Sequence, residues 1–218
     1  MRAEYGKMVL DSEPIDELPL ITYFPNDYTG EHMVPVVFFL HGSGERGTDL
    51  SLVELHGLPY EIKNGREIPA IVIAPQLPLD MRWAEIVPTL QTLLETTVYS
   101  HNINQDRMYL TGLSNGGQGT WEWAIAHPDQ FAAIVPICGR SNPQGARKIA
   151  HLPIWVFHGE DDDVVPMEET TKMVKALEDA GADKLKVTIY PGVDHGSWIP
   201  AYADDALYEW LFAQKLPG

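Results

Sequence analysis

Apolar runs rich in Val, Ile, Phe and Tyr recur along the chain at residues 20–24, 34–40, 68–74, 107–111, 131–138, 153–158 and 185–190. They are short and continuous instead of alternating, which suits strands covered on both faces, as in a parallel sheet between helix layers. Apolar positions at helical spacing lie between them, at 49–63, 85–99, 115–127, 167–180 and 201–215. Gly57-Leu58-Pro59 interrupts the first and Pro88 falls early in the second, while Gly181 follows the fourth as a C-cap residue does. From residue 34 the order is strand, helix, strand, helix, which right-handed crossovers wind into an α/β fold with a mostly parallel central sheet and helices on both faces. Residues 26–33 and 141–152 are the expected irregular insertions, and little chain is left for a large lid domain.

The strongest chemical signal is Gly112-Leu113-Ser114-Asn115-Gly116, a G-x-S-x-G run between an apolar strand and a small-residue helix. A serine on such a tight turn stands above the sheet edge, and glycines on either side allow the two elements to approach. An idle serine in a glycine-rich turn is the plain alternative, and the strand-to-helix context disfavours it. The second signal is His41-Gly42-Ser43-Gly44-Glu45-Arg46-Gly47, directly after the strand ending at Leu40. Acyl transfer needs two preorganised donors for the oxyanion. The N–H of Asn115, just after the nucleophile, and that of Ser43 are the natural pair, with Gly44 the neighbouring candidate for contact with substrate. The same loop spells G-x-G-x-x-G, but the following strand runs into Pro75-Gln76 where a dinucleotide site needs a ribose-binding acid.

An acidic turn, Glu160-Asp161-Asp162-Asp163, follows the strand ending at His158, and a carboxylate there can orient a histidine. Helix capping and a metal held by His158 with these acids are the competing readings; consecutive acids on a turn diverge, which disfavours the metal. His195, in the loop after the last strand, completes the order Ser, Asp, His of a hydrolytic triad. His41 and His158 precede glycines at strand ends and read as structural hydrogen-bonding groups. Trp83 and Trp198 are placed to wall a substrate pocket, with ordinary core packing as the alternative.

Composition narrows the partners. The 218 residues fit a single domain, 1–218, and 15 Lys+Arg against 31 Asp+Glu give a net charge of −16. That balance repels nucleic acid and anionic membranes. Cys138 is the single cysteine, so no intramolecular disulfide forms, and a reducing cytoplasmic setting is favoured over secretion behind a removed signal peptide. No apolar stretch is long enough to span a bilayer.

With these residues in view, the chain resembles the α/β-hydrolase superfamily from about residue 34 onward. It is most similar to compact serine esterases of the phospholipase/carboxylesterase and dienelactone-hydrolase-like groups, including a predicted-peptidase branch. The likeness rests on His41-Gly42-Ser43-Gly44, Ala74-Pro75-Gln76 with Arg82-Trp83, the Ser114 elbow, His158-Gly159 with Asp162 and Val165-Pro166, and His195-Gly196-Ser197-Trp198. It implies the α/β-hydrolase fold and places the acid on Asp162 by the pattern H-G-x-x-D-x-x-V-P. Dienelactone hydrolases proper use a cysteine nucleophile, whereas this elbow holds Ser114. The expectation is therefore a serine carboxylesterase acting on small short-acyl or aryl esters through Ser114, His195 and Asp162, with no metal or organic cofactor. A serine peptidase or amidase of the same fold, or a non-catalytic receptor, are the alternatives, and the oligomeric state is left open.

Overall fold

A computed structural model describes residues 1–9 and 15–217. Eight strands form one sheet: β1 (Arg2–Val9), β2 (Glu17–Phe24), β3 (Val34–Leu40), β4 (Ile71–Pro75), β5 (Ile103–Leu113), β6 (Ala133–Ile137), β7 (Ile154–Gly159) and β8 (Leu185–Tyr190), in the order β1-β2-β4-β3-β5-β6-β7-β8. The β1–β2 and β2–β4 pairs are antiparallel, and every pair from β4 through β8 is parallel. Among the described residues seven α-helices cover the sheet: α1 (Gly57–Lys63), α2 (Val87–Ser100), α3 (Asn115–Ala126), α4 (Ala146–Ile149), α5 (Glu168–Asp179), α6 (Trp198–Ala203) and α7 (Asp205–Ala213).

The continuous apolar runs are explained by burial on both faces. Along β3, Val36, Phe38 and Leu40 join a cluster with α2, α3 and α5, while Val37 and Phe39 join an opposite cluster with α1, α6 and α7. β1 escapes this pattern because it is a sheet edge. Its mixed Arg-Ala-Glu-Tyr-Gly-Lys sequence stays mostly exposed, and charges on such an edge discourage pairing with another chain.

Two expected helices are split. In 49–63, Asp49 caps a short 3₁₀ turn, Leu50–Glu54, and α1 begins afresh at Gly57, whose φ of +67° turns the chain. Pro59 therefore starts a helix instead of interrupting one, since the first turn needs no N–H from it. In 201–215 the helix pauses at Asp204, whose side chain accepts from Ala206 N at 2.9 Å and caps α7. The insertion at 141–152 contains a 3₁₀ turn and α4, and Ala146 and Ile149 are buried.

The register of β3 on β5 sets the geometry of everything downstream. Leu40 lies opposite Gly112, so the loop after β3 and the turn after β5 leave the sheet side by side. A Cβ at Gly116 would collide with the Leu40 carbonyl, and one at Gly112 with the Gly116 carbonyl. Gly116→Ala is therefore expected to lower the unfolding free energy by about 3 kcal/mol or more, because backbone must move to make room. Urea denaturation measures this, and a loss below about 1 kcal/mol would show that the contact yields.

Candidate active site

Ser114 sits between β5 and α3 with φ 53° and ψ −116°, a backbone region that costs a non-glycine residue roughly 1–3 kcal/mol. Its N–H donates to Ile137 O at 2.9 Å, tying the strained turn to the end of β6. The conformation lifts the hydroxyl to the imidazole of His195, with Ser114 Oγ and His195 Nε2 2.8 Å apart. On the far side of the ring, His195 Nδ1 lies 2.7 Å from Asp162 Oδ2.

Asp162 is held for this contact. Its Oδ1 accepts from Val164 N at 2.9 Å and Val165 N at 2.8 Å, so the carboxylate folds back into its own turn and is buried. Asp161 and Asp163 point to solvent. Beneath the turn, buried His158 contacts Val165 O and Thr170 Oγ1, both at 2.8 Å, and its Nε2 is 3.2 Å from Asp162 Oδ2. Both of its ring nitrogens are thus engaged by the protein, which suits the structural role expected for it and leaves it a poor metal ligand.

The loop after β3 is organised by His41. Leu77 N donates to its Nε2 at 2.9 Å, so the ring proton resides on Nδ1, which donates to Gly42 O at 2.6 Å. With the Gly42 carbonyl fixed on one side of a trans peptide, the Ser43 N–H points to the other. Asn115 opens α3, where a first-turn N–H has no partner within the helix. Burial drives the His41 pKa down to about 4 and keeps the ring neutral. Burial also raises the pKa of Glu45, whose carboxylate lies under the same loop, 3.8 Å from His41 Nδ1 and 3.9 Å from His56 Nε2.

Ser114 opens into a cavity of about 370 Å³ lined by Ser43, Asn115, Gln118, Val164, Val165 and three arginines, Arg46, Arg82 and Arg140. The sequence reading missed these arginines as site residues. Arg46 stands in the glycine loop and Arg82 beside Trp83, so each was within a motif already singled out, whereas Arg140 carried no signal except its place just beyond a strand end. Gly44 is exposed at the rim and is not among the lining residues.

The two tryptophans behave differently. Trp83 is fully buried: its indole N–H donates to His41 O at 2.9 Å and its ring meets His41 edge-on. The expectation that it walls the pocket is wrong, because the indole is needed beneath the loop as a brace. Trp198 meets the His195 ring at 90° with centroids 5.3 Å apart, and helps line a neighbouring cavity of about 250 Å³ with Leu55, His56, Tyr60, Ile199 and Tyr202. It is a wall, though of this adjoining space and not of the cavity at Ser114.

Among the described residues, Cys138, Asp162 and His195 bring ligand-type atoms within 4.8 Å of one another. Asp162 and His195 already bond each other, and burial pushes the Cys138 thiol up to about 12, against the thiolate a metal requires.

A family model described as the Dienelactone hydrolase family matches residues 66–205. Among curated proteins, Esterase YjfP of Escherichia coli is 35% identical over 72 residues, covering 32% of this chain and 29% of that protein. Acyl-protein thioesterase 1 of Gibberella zeae is 24% identical over 226 residues, covering 83% of this chain and 90% of that one. A solved thermostable esterase superposes with a TM-score of 0.83 at 33% identity, over 97% of this chain and 63% of its own. The chain thus spans less than a third of the first of these proteins and under two thirds of the solved esterase. It belongs to the dienelactone hydrolase family and has the α/β-hydrolase fold. Among the described residues no helix is long and apolar enough to cross a membrane.

The neutral His41 clip makes stability fall in acid. The unfolded chain takes up this proton near pH 6.5, the folded one only near pH 4, so the contribution is complete above about pH 6.5 and is lost as pH falls toward about 4. Over that window the wild type is expected to lose about 3 kcal/mol more unfolding free energy than His41→Gln, which cannot titrate. Parallel slopes in urea titrations across the window would contradict a buried neutral His41.

Proposed function

We propose that this member of the dienelactone hydrolase family is a serine carboxylic-ester hydrolase, acting through an acyl-enzyme on short-acyl or aryl esters. The observation that carries this reading is the continuous relay from Ser114 Oγ through His195 to Asp162, with contacts of 2.8 and 2.7 Å. Ser114 attacks the ester carbonyl carbon while its proton passes to His195 Nε2. Negative charge on the carbonyl oxygen is met by the N–H groups of Ser43 and Asn115. The intermediate collapses, the C–O bond to the alcohol breaks, and His195 delivers its proton to the departing oxygen. Water then adds to the acyl group by the same route, again giving its proton to His195, and the acid leaves. Asp162 keeps the imidazole proton on Nδ1 and stabilises the imidazolium.

Both carbon–oxygen and carbon–nitrogen acyl bonds suit this relay. Esters are favoured because the site lies in open cavities at the sheet edge, and because proteins named as an esterase and a thioesterase are among the relatives. An acetyl or feruloyl ester of a sugar falls within the proposed substrate class.

Ser114→Ala is expected to abolish hydrolysis of 4-nitrophenyl butyrate and labelling by a fluorophosphonate, with the fold intact by circular dichroism. Retained turnover in the folded variant sinks the proposal, and faster cleavage of matched anilides than of esters redirects it to an amidase. Of the three adjacent acids, only Asp162→Asn should be severely damaging, by up to ~10⁴ in kcat, since Asp161 and Asp163 face solvent. Assays of all three single variants decide it, and a crippled Asp161→Asn or Asp163→Asn would put the relay in the wrong register.

A further inference from the structure

The cavity of about 250 Å³ beside Trp198 contains an imidazole that the proposed mechanism leaves unused. Leu55, Tyr60, Trp198 and Ile199 make its wall largely apolar, and a pocket of this kind orients its ligand through few polar groups. Two of the polar groups there are already engaged. Glu61 accepts from Arg66 Nε at 3.2 Å, and the Tyr202 hydroxyl lies 2.8 Å from Thr111 Oγ1. His56 and the hydroxyl of the exposed Tyr60 remain. His56 is the better fixed of the two, since it stands at the N-cap of α1 and its ring packs on Trp198 with centroids 5.6 Å apart.

Glu45 sets which nitrogen of His56 is free. Its carboxylate is buried beneath the loop after β3, Oε1 lies 3.9 Å from His56 Nε2, and Oε2 has no hydrogen-bond partner. His41 cannot supply one, because its Nδ1 proton goes to Gly42 O and its ring is neutral. Burial pushes the Glu45 pKa up, and His56 is the neighbour that opposes the rise. A carboxylate on the Nε2 side draws the ring proton to Nε2, so the neutral imidazole keeps a lone pair on Nδ1. Among the described residues no hydrogen bond reaches that nitrogen. The direction of the proposed reaction tells what does: His195 hands its proton to the departing oxygen, so the alcohol half lies on the imidazole side. Trp198 touches both imidazoles, His195 at 5.3 Å and His56 at 5.6 Å, and a single six-membered ring on the alcohol is about as wide as the indole that separates them.

We propose that His56, held by Glu45, is the specificity-determining residue of the alcohol side and accepts a hydrogen bond from a hydroxyl on the departing alcohol. The preferred substrates are then esters of an apolar ring that carries a second hydroxyl across from the ester oxygen, as in a monoester of a benzenediol. The inference rests on the serine-hydrolase reading above and adds the class of alcohol. Leu55 and Ile199 are large apolar side chains left exposed at this cavity, and the flank of such a ring covers them. Glu45 is a positioning residue, acting on the alcohol only through the proton it holds on His56.

The test compares three butyrates at pH 8 whose departing phenols are of similar acidity: phenyl, 4-hydroxyphenyl and 4-methoxyphenyl butyrate. The wild type should favour the 4-hydroxyphenyl ester over the other two by about three- to tenfold in kcat/KM, the range of one net hydrogen bond. His56→Phe keeps a flat ring against Trp198 and should bring the three rates together, while a merely structural role would lower all three and preserve the ratio. Glu45→Gln should reduce the ratio too, since a neutral amide no longer draws the ring proton to Nε2, and an unchanged ratio overturns the part given to Glu45. A wild type without the preference, one that takes the methoxy ester equally well, or a ratio that survives His56→Phe overturns the inference. A ratio lost in Tyr60→Phe and kept in His56→Phe overturns it as well, by moving the contact to Tyr60. Fluorophosphonate labelling of Ser114 is read in parallel. Labelling without the hydroxyl preference removes this inference alone, and a wild type that neither labels nor hydrolyses removes the serine reading together with it.

Discussion

Backbone meets backbone where α3 leaves the sheet, and the site depends on that contact. The Leu40 carbonyl at the end of β3 lies against Gly116, and on the other side a Cβ at Gly117 would meet Ile137 O and Gly139 at the end of β6. Helix α3 is thus gripped at its N-terminus by two parallel strands, with no side chain between them. This close approach forces Ser114 into its positive-φ turn, and the N–H bond to Ile137 O holds it there. Strain in the Ser114 turn is sustained by apolar burial on both sheet faces, where local cost and global stability can be separated.

The same grip places the loop after β3. Since Leu40 pairs with Gly112, the first residues beyond β3 and β5 are neighbours, and a Cβ at Gly42 would lie 3.6 Å from Ser114 Cβ. His41 and Trp83 then lock that loop from beneath, one through the Gly42 carbonyl and the other through the carbonyl of His41. In the proposed mechanism, donors held in this way need little reorganisation when charge develops, which is where oxyanion sites gain most of their effect.

Much of this was legible in the sequence because it depends on local pattern. Strands buried on both faces leave continuous apolar runs, and a strand-to-helix turn needs small residues around its serine, so the sheet, the elbow and the order Ser114, Asp162, His195 could all be read from residue order. The acid's register was different: composition gave three adjacent aspartates, and only the resemblance to a known pattern pointed to Asp162. The fold supplies the physical reason, since Asp162 alone turns inward to accept from Val164 N and Val165 N. Trp83 was misread because a tryptophan beside a loop looks the same whether its indole faces substrate or braces backbone. The arginines were missed for a related reason. Arg46, Arg82 and Arg140 come from three separate loops, and only the parallel sheet brings their ends to one edge.

That gathering also reconciles an acidic protein with a cationic cavity. A chain of net charge −16 repels anions at long range, but at physiological salt the Debye length is only about 8 Å, so the field that a small ligand meets inside a cleft is set by nearby groups. Here those groups include three guanidiniums and, among the described residues, no lining carboxylate. Overall acidity therefore repels a polyanion, whose many charges would face the whole surface, whereas a small molecule inside the cleft meets chiefly the nearby arginines. The sign of the surface and the sign of the cavity act on different length scales, so the net charge of the chain does not decide the field at Ser114.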